Sequence, residues 1–158
     1  MSLVEQIKSV DWGKFKGIEY YEPNDVAPAL IALVNLDDDN CNEDIYNQVL
    51  FAIGNNHGGT YYSAIQEALR FILITAIDGN SEVSRNCALE MVTDIYCAFG
   101  PELTQETFHL YDKLKSNVKK EVEELYPKLM ELASLKSESQ RNRKLALDLI
   151  GAIEDPEC

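Results

Sequence analysis

Three consecutive aspartates followed by an asparagine, Asp37-Asp38-Asp39-Asn40, are the residues of this 158-residue chain best suited by type to hold a divalent cation. An EF-hand loop also needs glycine at its sixth place and a carboxylate at its twelfth, and counting from Asp37 those places hold Asn42 and Gln48. The run therefore reads either as a solvated acidic connection or as a contact for a basic partner. Glu43, Asp44, Asp78 and Glu82 also fall in or beside expected loops, which tilts the reading toward a partner surface. The segment His57-Gly58-Gly59-Thr60 has the glycines of a phosphate loop, but also those of a tight turn between helices, with Thr60 placed to cap a helix starting at Tyr61. The turn is the preferred reading. His109 lies on another expected helix and supplies no second metal ligand at helical spacing. Ser63 has no recognisable partner base, and G-x-S-x-G, G-x-G-x-x-G, Walker A and H-E-x-x-H motifs do not occur. No catalytic residue, metal site or cofactor is expected.

The elements that must position these residues are helical. Ile45, Val49, Ala52 and Ile53 form one apolar stripe that stops at Gly54, and Tyr62, Ile65, Leu69, Ile72 and Ala76 form the next, ended by Asp78-Gly79-Asn80. Ser81 is a good N-cap for a helix carrying Ala88, Met91, Val92, Ile95 and Phe99. Thr104 is placed to cap a longer helix containing Tyr111, Leu114, Val118, Val122 and Leu125. A short helix is expected from about Pro127 to Ser134, and a last one carries Leu145, Ala146, Leu149, Ile150 and Ile153. Strand alternation is absent apart from an ambiguous stretch at Ile18 to Tyr21. The fold class is all-α.

Two segments look like copies of one unit. Pro28 to Leu36 parallels Pro127 to Leu135, and each leads through a polar loop to a second helix ending in Ile-Gly, at Ile53-Gly54 and Ile150-Gly151. Helix pairs at this spacing are the pattern of HEAT or armadillo arrays. The expectation is one domain over residues 1–158, a short stack of antiparallel hairpins with residues 1–25 as an irregular N-terminal cap.

Charge is regional. Between Gly17 and Asp112 sixteen acids face only Arg70 and Arg85, whereas the remainder of the chain is nearly balanced. A field of one sign repels phosphate backbones and anionic lipid and attracts a basic partner. Nucleic acid and membrane are thus poor partners. Adjacent tyrosines at Tyr20-Tyr21 and Tyr61-Tyr62 cannot both face one core from a helix, so one of each pair is expected at the surface as a binding anchor. The N-terminus lacks a signal-peptide pattern, no apolar run is long enough to span a bilayer, and Cys41, Cys87, Cys97 and Cys158 contain no C-x-x-C pair. A cytoplasmic protein with reduced thiols is expected.

The segments Val10-Asp11-Trp12, Asn24-Asp25-Val26-Ala27-Pro28-Ala29-Leu30 and His57-Gly58-Gly59-Thr60-Tyr61-Tyr62 resemble a group of bacterial HEAT-like proteins with an aspartate-tryptophan start, a D-V-P-x-L helix start and an H-Q-G-T-x-Y turn. The chain departs from that pattern by Ala27 between Val26 and Pro28 and by Gly58 in place of Gln. The resemblance covers roughly residues 10 to 100 and implies an immunity protein of a bacterial toxin system, including contact-dependent growth inhibition. Together with the charge, it leads to the expectation of a non-enzymatic protein that binds and neutralises a basic toxin domain, a nuclease first among the candidates, through Asp37, Asp38, Asp39, Glu43, Asp44, Tyr61, Tyr62, Asp78 and Glu82. The alternatives are a helical-repeat adaptor for another basic protein and a HEAT-like lyase binding a small ligand.

Overall fold

The computed structural model describes residues 1–15 and 18–158; residues 16 and 17, within the expected N-terminal cap, lie outside the described residues. The chain is mostly helical, in the order α1 (Leu3–Ser9), α2 (Pro23–Val34), α3 (Asn42–Ala52), β1 (Gly54–Asn55), β2 (Thr60–Tyr61), α4 (Ile65–Asp78), α5 (Glu82–Cys97), β3 (Gly100–Pro101), α6 (Tyr111–Glu123), α7 (Tyr126–Ser134) and α8 (Gln140–Glu154).

Local chemistry accounts for most boundaries. Ser81 caps α5 in a reciprocal box, its hydroxyl accepting from the Ser84 N–H at 2.9 Å while the Ser84 hydroxyl accepts from the Ser81 N–H at 3.3 Å. Ser139 caps the first turn of α8 in one direction only, its hydroxyl accepting from the Asn142 N–H at 3.2 Å. The segments compared as repeats are both helical, but Pro28 does not open its helix: Pro23 takes the first-turn position, Glu22 caps Asn24, and Pro28 lies inside α2. A proline tolerates the first turn best, and of two prolines the earlier one claimed it. Thr104 likewise caps no long helix. It exchanges hydrogen bonds with Thr107 in a turn, and α6 starts at Tyr111.

A small three-stranded sheet departs from the all-helical expectation. β1 pairs antiparallel with β2, and β2 pairs parallel with β3. Gly54, expected only as a helix stop, is required by this pairing, since a Cβ there would lie 2.1 Å from the Thr60 carbonyl oxygen. Gly59 supplies the one left-handed residue among those described, at φ 66°. Two-residue strands carry too little alternation to be seen in sequence.

The core is continuous from Ile7 and Trp12 through α2–α5 to Leu149 and Ile150. Trp12 is fixed by donating its indole N–H to the Ile7 carbonyl, and Tyr21 donates its hydroxyl to the Trp12 carbonyl. Helix α2 packs on α3, α4 on α5, and α7 on α8. Across these pairs, α5 touches both α3 and α8, and α4 touches both α2 and α7. Helix α6 is an addition, resting on α4, α5 and β3. The outcome places α3, α5 and α8 side by side in one row.

An acidic groove across three helices

The row is tied together by asparagines. Asn42 of α3 donates its amide to Asn86 of α5 at 2.9 Å, Asn86 donates to Asn142 of α8 at 3.0 Å, and Asn142 donates to the Glu82 carbonyl at 2.9 Å. Asn86 and Asn142 are buried, so each donor and acceptor in this relay must be matched, and the match fixes the register of the three helices.

Above the relay lies an open groove of about 620 Å³. Its carboxylates are Asp39 and Glu43 on the α3 side and Glu90 and Asp94 on α5, and among the described residues Arg141 of α8 is the only cation lining it. Tyr46 donates its hydroxyl to Asp94, and burial, then that hydrogen bond and the Asp94 charge, hold the phenol well above its usual range, so it stays a neutral donor. Burial, followed by the Asp94 charge one turn away, raises the Glu90 carboxyl. Arg141 reaches across the end of the groove, its Nε 2.6 Å from Glu82 Oε1 and its Nη2 3.1 Å from Glu82 Oε2 and 2.9 Å from Asp39 Oδ1. These hydrogen bonds lower the carboxyls of both Glu82 and Asp39. Among the described residues, Glu43, Glu90 and Asp94 have no ion-pair partner. Chemically this is a site for a cation with several hydrogen-bond donors, presented beside the amide of Asn47 and the apolar edge of Leu145.

The sequence candidates fall into three sets. Asp39, Glu43 and Glu82 converge at the groove or its rim. Asp37, Asp38 and Asp44 are exposed and do not line the groove, and Asp38 accepts from the Asn40 N–H to cap the turn before α3. Asp78 stands apart, in a recess with Leu3, Val34 and Gly79. Tyr61 and Tyr62 are corrected outright: neither is exposed, at 1% and 5%. The segment is extended rather than helical, so successive side chains enter two packed layers, and Tyr62 meets Tyr21 edge-on at 5.9 Å. Thr60, placed in β2, caps nothing; it donates to Glu102 at 2.9 Å. Tyr20, by contrast, is exposed while Tyr21 is buried, as expected for that pair.

The expectation that all four thiols stay reduced is also corrected. Cys97, the last residue of α5, is joined to Cys158 in a disulfide, while Cys41 and Cys87 are free. The two partners are 61 residues apart, a separation at which spacing carries no pairing signal. Sequence reasoning missed Tyr46, Asn47, Glu90, Thr93, Asp94 and Arg141. Their signal was present as polar residues at helical spacing, Glu43 with Tyr46 and Asn47, and Glu90 with Thr93 and Asp94, but only the neighbouring helix makes such a stripe a groove wall. Among the described residues, no helix is long and apolar enough to cross a membrane. No family model, curated protein or solved structure matches the chain, and the site stands on its own geometry.

Proposed function

We propose that this chain is a short HEAT-like stack of helical hairpins, with α2/α3, α4/α5 and α7/α8 as its units, that acts as a cytoplasmic immunity protein by binding a basic toxin domain in the groove formed by the second helix of each unit. The observation that carries the reading is the imbalance inside the groove: among the described residues four carboxylates line it against one guanidinium, and that guanidinium is already engaged by Asp39 and Glu82. A basic domain supplies what Glu43, Glu90 and Asp94 lack. A nuclease fits best, because a surface that attracts phosphates is cationic, and an acidic groove competes for it as a charge mimic. The immunity role itself is supported by the sequence resemblance over the Val10 to Trp12, Asn24 to Leu30 and His57 to Tyr62 segments.

The test is to read the neighbouring reading frame for a secreted protein with a variable C-terminal domain and to measure binding to that domain over a salt series. Association slows as salt rises, because exposed charges are screened beyond about 10 Å at 0.1 M. Reversal of Glu43, Glu90 and Asp94 to Lys abolishes protection, and reversal of the exposed Glu124 and Glu131, which do not line the groove, leaves it intact. Undiminished affinity in the groove triple variant would overturn the site. Retained groove-dependent binding to a basic protein, with no binding to that toxin domain, would favour the adaptor reading instead.

A further inference from the structure

The segment after α8 folds back onto the body rather than away from it. Asp155 accepts from the Glu157 N–H at 2.9 Å, the Cys158 N–H donates to the Asp155 carbonyl at 3.2 Å, and this turn delivers Cys158 to Cys97 with a Cα–Cα separation of 5.1 Å. Beyond the disulfide, the strap is held at its Cys158 carbonyl by the Lys119 ammonium of α6, which also stands 4.6 Å from the centre of the Tyr96 ring. Under it lies a recess of about 400 Å³, walled by Gly59, Thr60, Gly100 and Tyr111 and floored toward Lys115. Cys97 is an exposed residue at the end of α5, and attack by a thiolate on an accessible disulfide sulfur is what opens such a bond.

We propose that the Cys97–Cys158 bond is a thiol-cleavable strap: reduction by a small thiol of the glutathione class releases residues 155–158, uncovers the recess beside β2 and β3, and loosens the last turn of α5. A thiolate attacks Cys97 Sγ, the Sγ–Sγ bond breaks, and Cys158 leaves as a thiolate that takes up a proton. A second small thiolate attacks the mixed disulfide, forming the small-molecule disulfide and leaving Cys97 as a thiol. Two small thiols are oxidised and the protein gains two hydrogens. Cys87 does not interfere by exchange, since it is buried in the core and its thiol is pushed up to about 12 by that burial and then by the Glu90 charge. The released turn is the one whose carbonyl at Asp94 accepts from the N–H groups of Ala98 and Phe99, at 2.8 and 3.1 Å, so strap and groove share one turn of α5. The inference does not depend on what the groove binds.

The test uses the full chain purified without reductant. Thiol titration in denaturant and a non-reducing peptide map are expected to give two free thiols, Cys41 and Cys87, and one Cys97–Cys158 cross-linked peptide. Incubating the folded protein with millimolar reduced glutathione opens that bond, and amide exchange over residues 94–101 and 155–158 quickens by about tenfold or more. Cys158→Ser shows the faster exchange with and without glutathione, and Cys97→Ser repeats it from the other end. Four free thiols before reduction, a bond that survives glutathione in the folded protein, or exchange that is the same in both states would each overturn the strap.

Discussion

Helices α5 and α8 are bridged twice by an arginine holding a carboxylate through two hydrogen bonds, and the two bridges differ mainly in their surroundings. Arg85 meets Glu138, just before α8, at 2.6 and 3.2 Å, and Arg141 meets Glu82 at 2.6 and 3.1 Å. The first pair is enclosed, with side chains 20% and 2% exposed; the second lies open, at 41% and 34%. In the enclosed pair every group is used. Arg85 also donates to the Gly79 carbonyl, and Glu138 accepts from the Ser139 N–H and the Asn142 amide. Burial by itself would raise the Glu138 carboxyl, but these hydrogen bonds and the Arg85 charge together hold it below its usual value. The same chemistry therefore fixes the fold in one place and trims the field of a binding groove in the other, because desolvation decides what an ion pair is worth.

The largest effect is expected from breaking the enclosed bridge. Glu138→Gln leaves the Arg85 charge without its counter-ion and costs about 3 kcal/mol, the low end for a buried pair because Arg85 retains some solvent. Denaturant unfolding of the variant measures it. Equal losses from Glu138→Gln and Arg141→Ala would dissolve the distinction between the two bridges.

The pH dependence sharpens it. The Glu138 carboxyl is depressed on folding, so its stabilisation is complete above the unfolded glutamate value of about 4.3 and is lost as pH falls through the lower folded value. The gap between wild type and Glu138→Gln consequently narrows in acid. Glu90 carries the opposite sign. Its carboxyl is raised on folding, so ionising it costs stability as pH rises from the unfolded value through the higher folded one. Glu90→Gln is expected to raise the melting temperature at neutral pH, to do nothing at a pH below both values, and to weaken binding of the basic toxin domain. A variant that gained stability and kept full affinity would show that Glu90 does not face the partner.

The open bridge gives the smallest change in stability and a change of opposite sign in binding. Arg141→Ala should cost under about 1 kcal/mol, as exposed pairs do. Removing the guanidinium that lines the groove should speed association with the basic domain a few-fold at low salt and not at high salt, read from stopped-flow rates. Slower association would mean that Arg141 contacts the partner directly.

How much of this was legible in the chain depended on the distance over which each feature is decided. The Ser81 cap, the stop at Gly79 and the helical stripes through α4 and α5 follow from residues within one or two turns of each other, and those local preferences agree with the fold that formed. The regional acidity was equally plain, because charge is additive along the sequence. What that acidity does was not. Asp39 and Arg141 are 102 positions apart, and only packing of α8 on α5 turns one into the partner of the other and leaves Glu90 and Asp94 without one among the described residues. Tyr61 and Tyr62 were misread for the same reason: a two-residue strand forms because β1 and β3 stand on either side of it, and nothing in the local sequence outweighs the turn and helix signals around them. The pairing of Cys97 with Cys158 required the end of one helix to meet the segment after another. By itself, then, the sequence determined a helical, regionally acidic chain, since periodicity and charge are local or additive quantities; the tertiary structure decided which carboxylates remain free, which tyrosines are buried and which cysteines pair, since each of these depends on contacts between residues far apart in the chain.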